Sequence, residues 1–271
     1  MSKKIAILGL GWLGLPLTKT LSNKGLEVVG SITSAEKLMR LLKVGFPIRI
    51  IKIRKNNIEG NWKKFIANAN TLVICMPPGQ LNNEPENYWC QIEQICNRCS
   101  SSVNVIFVSS TSVYADSNEI ITEKDEPNPT KKSGEIIVAA EKIILDHFGD
   151  NATLVRFAGL FGEGRHPGRF INPEKPLPNP NGRVNLIHQK DCIQLIEAII
   201  EKDVYGEIIN GCADKHPIRH EFYKKATENL GIDMFEYDPE EAPSGKIISN
   251  EKSKSTLGIT YSFADPMQFF D

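Results

Sequence analysis

Three glycines near the start of the chain have the spacing that carries the clearest chemistry. Gly9, Gly11 and Gly14 directly follow the apolar run Ile5 to Leu8. In such a loop the first glycine allows a tight turn, the second leaves room for a pyrophosphate against the backbone, and the third lets a helix pack closely on the strand. The helix N-terminus then offers free N–H groups to the diphosphate. The pattern predicts a dinucleotide site, although a turn used only for packing has the same spacing.

The end of the second apolar strand bears on which dinucleotide is bound. An acidic side chain there would bind the ribose hydroxyls of NAD, but residues 30–34 read Gly-Ser-Ile-Thr-Ser. Hydroxyls with Lys37 or Arg40 nearby suit a 2′-phosphate, so NADP is favoured over NAD. In the alternative, Ser34 simply caps the next helix. The predicted cofactor contacts are Gly9, Gly11, Trp12, Leu13, Gly14, Ser31, Thr33, Ser34, Met76, Pro77 and Ser109.

A run of hydroxyl side chains ends another apolar strand. Residues 109–114 read Ser-Ser-Thr-Ser-Val-Tyr, a kind of strand end seen at many nicotinamide active sites. Because the carboxyl ends of parallel strands form the ligand crevice, we expect Ser109 and Ser110 to line its nicotinamide end. Tyr114 is either a reactive group there or a buried tyrosine that packs beside the strand.

Cationic side chains follow a further strand, in a loop rich in glycine and proline. Arg165, His166 and Arg169 lie in this loop. Two guanidiniums and an imidazole at a strand end predict contact with an anionic or phosphorylated substrate. In the alternative, the arginines fix the loop through backbone carbonyls. His188 precedes Asp191 at a strand–helix junction, where it either faces the crevice or is a satisfied structural histidine.

An alternation of strands and helices is needed to bring these motifs together. The sequence predicts strands over 5–8, 27–32, 48–53, 71–75, 103–108 and 153–157, and helices over 12–24, 35–43, 86–99 and 133–147. Later strands are predicted over 184–187 and 207–210, and later helices over 190–201 and 219–230. This rhythm predicts an α/β fold: a doubly wound parallel Rossmann sheet in residues 1–158 and a small C-terminal substrate lobe in residues 159–271, packed as one unit.

Composition narrows the class of protein. The chain has 271 residues and a net charge of −1, so it lacks the basic surface that nucleic acid requires. Basic clusters such as 52–55 are interpreted as solvated faces. The lone C-x-x-C at 96–99 is interpreted as reduced thiols in a cytoplasmic protein, and we predict no metal site. The apolar start is interrupted by glycines and flows into a helix pattern, so we expect neither a signal peptide nor a membrane span.

Several segments together resemble the extended short-chain dehydrogenase/reductase family, the NAD-dependent epimerase/dehydratases. They are the glycine loop, the serine run and the segments Arg-Phe-Ala-Gly-Leu-Phe-Gly at 156–162, Gly-Arg-His-Pro-Gly-Arg-Phe at 164–170 and Val-Asn-Leu-Ile-His at 184–188. The combination is most similar to the atypical YeeZ-like branch. The resemblance implies nicotinamide chemistry on a small polar substrate such as a nucleotide sugar. It also places the family's catalytic Ser/Thr on Ser110 and leaves a homodimer open.

The chain departs from that family at two places. Leu8 stands where the family's first loop glycine would be, and the catalytic Tyr-x-x-x-Lys is absent. When Glu141 is matched to a family acidic residue, the tyrosine falls on Ser133 and the lysine on Ile137. A serine cannot replace a phenolate as a base near neutral pH without a partner.

Two hypotheses follow from these departures. The first is an NAD(P)-dependent oxidoreductase or epimerase/dehydratase-like enzyme with an atypical active site, in which the candidates are Ser110, Ser133 and Tyr114. Lys131 or Lys132 could also substitute for the lost pair. The alternative is a non-catalytic NAD(P)-binding sensor or partner protein.

Overall fold

The computed structural model describes residues 3–41, 43–78, 86–172, 174–232 and 235–271. Its strands are β1 (Lys4–Leu8), β2 (Glu27–Ile32), β3 (Ile48–Ile50), β4 (Lys52–Ile53), β5 (Ile58–Glu59), β6 (Thr71–Ile74), β7 (Asn104–Ser110), β8 (Ile120–Ile121), β9 (Ala152–Phe157), β10 (Gly159–Phe161), β11 (Leu186–His188), β12 (Ile208–Gly211) and β13 (Ile247–Ile248). Its α-helices are α1 (Gly14–Asn23), α2 (Ala35–Arg40), α3 (Trp62–Ile66), α4 (Glu86–Cys96), α5 (Lys132–Phe148), α6 (Gln189–Lys202), α7 (Arg219–Asn229) and α8 (Glu251–Leu257).

Seven strands form one parallel sheet in the order β12-β9-β7-β6-β1-β2-β3. The central strands are continuous apolar runs because helices cover both faces of the sheet. Helices α1, α6 and α8 pack together, while α4 and α5 pack against each other. The strand order reverses between β1 and β6, which opens a crevice at their carboxyl ends. The prediction of a doubly wound Rossmann sheet is confirmed.

The second half of the chain contributes both to this sheet and to a smaller core. Strand β12 pairs with β9, so the sheet takes its seventh strand from beyond residue 158. The division of the chain at residue 158 stays a prediction. A separate apolar cluster joins β10, β11 and α7; its buried members include Phe161, Leu186 and Phe222.

Two short parallel pairings lie outside the seven-stranded sheet. Strand β13 pairs with β8, and β10 pairs with β11, both in parallel. Because β8 follows the serine run and β13 lies near the C-terminus, their pairing brings residues from the end of the chain to the carboxyl edge of the sheet.

Candidate active site

The glycine loop has the geometry of a phosphate cradle. Gly9 has a φ of +102°, which favours glycine, and its N–H donates to Ser31 Oγ at 3.0 Å. A Cβ on Gly14 would lie 2.1 Å from the Gly9 carbonyl oxygen, so this glycine lets α1 approach β1. A Cβ on Gly11 would meet nothing within 4 Å. The open side of the loop therefore lies at Gly11.

A cleft of about 570 Å³ opens at the carboxyl ends of β1, β2 and β6. The glycine loop lines the cleft, and Met76 and Pro77 line it beside the loop, at the end of β6. Thr33 and Lys37 line the cleft where β2 ends. Lys52 and Arg54 line it too, although the sequence suggested that their cluster was only a solvated face. The cleft has the size of a small-molecule site and a cationic end.

Four other predicted cofactor residues, Trp12, Leu13, Ser31 and Ser34, make contacts within the protein. Ser31 is buried and accepts the Gly9 N–H, while Ser34 accepts the Lys37 N–H at 3.2 Å as the cap of α2. Leu13 is buried in the core. The Trp12 indole N–H donates to the Glu163 carbonyl oxygen at 2.8 Å, which ties the glycine loop to the loop after β10.

The residues present fit a dinucleotide. The first turn of α1 contains no acidic residue, and Leu13 at its N-cap supplies no side-chain acceptor. The Leu15 N–H donates to the Gly11 carbonyl oxygen at 3.2 Å and Pro16 has no N–H, so the N–H groups of Leu13 and Gly14 are those left for a diphosphate. The space beside Gly11 is where that group would pass. Gly9, Gly11 and the start of α1 would hold the pyrophosphate. Thr33 and Lys37 would face the adenosine end.

A second crevice of about 410 Å³ lies at the carboxyl ends of β7 and β9. Ser109, Ser110 and the backbone after them form one wall, beside Phe157 and Ala158. Four cationic side chains also line this crevice: Arg165, Arg183, Arg219 and Lys246. We refer to it as the basic crevice. Its charge predicts an anionic ligand.

The arginines of the basic crevice differ in how they are held. Arg165 Nε donates to the Leu160 carbonyl oxygen at 2.9 Å, and its guanidinium lies 5.7 Å from the Trp12 ring. Arg183 donates to the His216 carbonyl oxygen at 3.3 Å. Arg219 Nε is buried and has no hydrogen-bond partner among the described residues. Because Arg219 lines the crevice, the outer N–H groups of its guanidinium are the donors available to a ligand there.

Tyr114 lies in a buried polar network and does not line the basic crevice. Its hydroxyl donates to Asn210 Oδ1 at 3.0 Å and accepts from Arg156 Nη1 at 2.8 Å. Arg156 forms two further hydrogen bonds to Glu141, and Ser109 Oγ donates to the same carboxylate. Burial raises the pKa of Tyr114, opposed by the charge of Arg156. This placement favours the structural alternative for Tyr114.

The two positions of the missing Tyr–Lys pair do not form a reactive pair in the structure. Ser133 is exposed at the start of α5, and Ile137 is 5% exposed and packed in the core. Gly134 lets α5 approach the turn after β7, because a Cβ there would lie 2.3 Å from the Ser112 carbonyl oxygen. A lysine at position 137 would bury a charge, so restoring the pair costs stability.

The two predicted histidines, His166 and His188, form contacts inside the protein, both in their own loops and with distant segments. His166 Nδ1 accepts the Gly168 N–H at 3.2 Å, and its Nε2 lies 3.1 Å from Asn229 Oδ1. His188 Nδ1 accepts the Lys190 N–H at 3.2 Å, and its ring stacks on Phe263. Burial lowers the pKa of His188 to about 4, with a smaller contribution from Lys190. These contacts favour structural roles for both histidines.

The other predicted side chains lie outside both openings. Arg169 is exposed in the short turn 167–170. Cys96 and Cys99 are buried, and burial raises the pKa of each thiol to about 12. Across the described ranges, no three His, Cys, Asp or Glu side chains gather as metal ligands. Within those same ranges, the helices fall short of the length and apolarity that a membrane span requires.

Sequence reasoning missed Arg183, Arg219 and Lys246. The first two carried a weak signal: Arg183 directly precedes a predicted strand, and Arg219 begins a predicted helix. Lys246 carried no local signal, because it reaches the basic crevice only through the pairing of β13 with β8.

Comparisons with known proteins agree with this geometry. Residues 4–128 match a family model described as the NAD binding domain of 6-phosphogluconate dehydrogenase. The chain is 32% identical to protein YeeZ of Escherichia coli K12 over 269 residues, 98% of each chain. MoeE5 in complex with UDP-glucose and NAD superposes with a TM-score of 0.77 at 18% identity, covering 99% of this chain and 96% of MoeE5. UDP-glucuronic acid 4-epimerase of Bacillus cereus in complex with NAD gives 0.76 at 16% identity, covering 98% of both. These two likenesses show a shared fold.

Proposed function

The chain belongs to the YeeZ family, and from this premise we propose that it is a nicotinamide-dependent oxidoreductase of epimerase/dehydratase type acting on an anionic nucleotide sugar. The observation that carries the proposal is the basic crevice, which brings three arginines, a lysine and Ser110 into one opening at the carboxyl edge of the parallel sheet. MoeE5, a protein of the same fold, is bound to UDP-glucose, and the Bacillus cereus neighbour is a UDP-glucuronic acid 4-epimerase; both support a nucleotide sugar as the ligand of this crevice.

Different side chains of the basic crevice would bind different parts of the substrate. Arg219 and Arg183 would bind the diphosphate of the nucleotide sugar, because guanidinium groups match phosphate oxygens in pairs. Ser110 Oγ accepts the Ser112 N–H at 3.1 Å, which leaves its O–H to donate to a substrate oxygen. A nicotinamide bound beside Ser110 would supply or accept a hydride. The tie between Trp12 and Glu163 would hold the cofactor loop against the substrate loop.

Replacing Arg219 with methionine tests the anionic substrate. We expect the affinity for UDP, measured by titration calorimetry, to fall about tenfold or more, since a hydrogen bond to a charged group is worth roughly 1.5–3 kcal/mol. Arg98→Met is the matched control, because that guanidinium donates to Gln94 outside the basic crevice. Equal UDP affinity in Arg219→Met and the parent protein would contradict the assignment.

We further propose that the cofactor is NADP rather than NAD. Lys37, Lys52 and Arg54 give the cationic end of the dinucleotide cleft a charge suited to a 2′-phosphate. Lys52 and Arg54 flank Glu59, whose carboxylate lies 3.9 Å and 2.9 Å from their respective nitrogen atoms. Thr33, exposed at the same end, replaces the acid that NAD-specific sites use.

Replacing Lys37 with alanine tests this cofactor choice. We expect NADPH affinity to fall about tenfold while NADH affinity changes little, because only NADPH carries the phosphate that the ammonium would bind. Fluorescence titration with both nucleotides measures the two affinities. Arg40→Ala is the control, because Arg40 pairs with Glu36 and does not line the cleft. A parent protein with equal affinity for NADH and NADPH would refute the preference.

A further inference from the structure

Lys246 is placed in the basic crevice by contacts on both sides of its backbone. Asn185 Nδ2 donates to the Lys246 carbonyl oxygen at 2.8 Å, and Asn185 Oδ1 accepts the Ile248 N–H at 2.8 Å. On the other side, the Gly245 N–H donates to Asn118 Oδ1 at 2.6 Å. Together with the pairing of β13 and β8, these bonds fix the point from which the Lys246 side chain starts.

The ammonium group of Lys246 is directed towards the serine run. Its Nζ donates to the Tyr114 carbonyl oxygen at 2.5 Å and lies 3.5 Å from Asp116 Oδ1. The side chain is 12% exposed, yet it lines the same crevice as Ser110. A largely desolvated amine with an opening onto a ligand site has the environment of a proton-transfer group.

The charges around Lys246 are predominantly positive. Asp116, on the loop after Tyr114, is the one acid that faces Nζ among the described residues. Lys131 approaches from the start of α5, and Arg165, Arg183 and Arg219 line the remaining walls. Burial lowers the pKa of Lys246, Asp116 opposes that shift, and Lys131 adds to it.

We propose that Lys246 takes the place of the absent tyrosine–lysine pair as the acid–base residue that exchanges a proton with the substrate oxygen beside Ser110. This inference rests on the proposed function. The family positions cannot supply the group, because Ser133 is exposed and Ile137 is in the core. Lys246 comes from a different part of the chain but reaches the crevice that Ser110 lines.

The proton transfer balances in both directions. When a substrate carbonyl carbon accepts a hydride from a reduced nicotinamide dinucleotide, the electron pair of the C=O π bond moves to oxygen. That oxygen takes a proton from Nζ, whose N–H bonding pair stays on nitrogen, and solvent then returns a proton to the neutral amine. In the oxidative direction, the neutral amine accepts the hydroxyl proton as the hydride leaves carbon.

A titration of lysine side chains tests the environment of Lys246 without any turnover. In protein labelled with ¹³C at lysine Cε, the Lys246 signal is assigned by its loss in Lys246→Arg. We expect it to titrate at lower pH than the signal of Lys254, because burial lowers the pKa of Lys246 whereas the partners Glu251 and Asp214 raise the pKa of Lys254 outside the crevice. UDP-glucuronic acid should move the Lys246 signal and leave that of Lys254 unchanged. A Lys246 signal that titrates at the pH of the Lys254 signal or above it, or that does not move at saturating UDP-glucuronic acid, would overturn the proposal.

An assay of UDP-sugar turnover, monitored by nicotinamide absorbance, distinguishes the role of Lys246 in proton transfer from the role of its positive charge. Lys246→Arg keeps the positive charge but cannot release a proton at ordinary pH, so we expect UDP and NADPH affinities near those of the parent and a kcat lower by about 10²-fold or more.

The pH dependence of the parent protein gives a second test. In the parent, the rate of carbonyl reduction should decline as pH rises through the lowered pKa of Lys246, because the amine that donates the proton is then deprotonated. Parent-like kcat in Lys246→Arg would refute the inference while leaving the proposed function intact. A parent that binds neither NADPH nor UDP would overturn the proposed function, and the inference with it.

Discussion

Replacing Glu141 with methionine is expected to reduce the free energy of unfolding by about 3–5 kcal/mol, the cost of leaving a buried charge without its partner. The side chains of Glu141 and Arg156 are 4% and 3% exposed. Arg156 Nε and Nη2 donate to the two carboxylate oxygens at 2.9 Å and 2.6 Å, and Ser109 Oγ donates as well. Without Glu141, the guanidinium would keep Tyr114 as a neighbour but lose its counter-charge. Urea denaturation measures the loss.

Two further variants make the interpretation specific. Lys142→Met is the matched control on the same helix, because Lys142 is 74% exposed and its pair with Asp146 is worth little in water. The double variant Glu141→Met with Arg156→Met should recover much of the lost stability, since it removes both charges together. A Glu141→Met protein as stable as Lys142→Met would show that the buried pair does not hold the sheet end.

The network also explains why Tyr114 was ambiguous in the sequence. A tyrosine after a serine-rich strand has the right type and position for chemistry, and its alternative role depends on partners far along the chain. Arg156 on β9 and Asn210 on β12 complete the hydrogen bonds of its hydroxyl. Sequence spacing contains no information on such partners, because they meet only after the strands pair.

The fold was predictable where one local pattern determined one element. Strand β2 was predicted with its observed bounds, because an apolar run between a helix stop and a serine cap admits few alternatives. The strand predicted over 48–53 is instead β3 and β4, separated at Ile51, whose N–H donates to the Ile32 carbonyl oxygen. Helices α3 and α8 went unpredicted because five and seven residues are too few to show a helical period.

The candidate site was predictable only in its dinucleotide half. Glycine spacing indicates a local backbone geometry, so the cleft could be inferred from the six consecutive residues 9–14 and the strand and helix patterns on either side. The basic crevice is assembled from the ends of β7 and β9, the loop after β10, the loop before β11, the start of α7 and Lys246, which directly precedes β13. Its arginines and Lys246 lie far apart in the chain, and no local period or motif connects them. Only the tertiary pairings bring them into one opening with Ser110.

Replacing Gly11 with valine is expected to weaken NADPH binding about 100-fold, roughly 2.8 kcal/mol, with little change in stability. The backbone of Gly11 does not have positive φ, and a Cβ there would meet no atom within 4 Å, so the folded chain has room for the side chain. That same room is where a pyrophosphate would lie against the backbone. Fluorescence titration gives the affinity, and thermal unfolding gives the stability.

Gly14→Ala is the comparison that separates the two roles within one loop. Its Cβ would lie 2.1 Å from the Gly9 carbonyl oxygen, so either β1 or α1 must move, at a cost of about 1–3 kcal/mol for overpacking. Gly14→Ala should therefore lower the unfolding temperature, whereas Gly11→Val should lower affinity in a protein that melts near the parent temperature. If Gly11→Val binds NADPH as tightly as the parent, the diphosphate does not pass over this glycine. The glycines would then serve to pack α1 on β1, as the close approach of Gly14 to the Gly9 carbonyl oxygen already does.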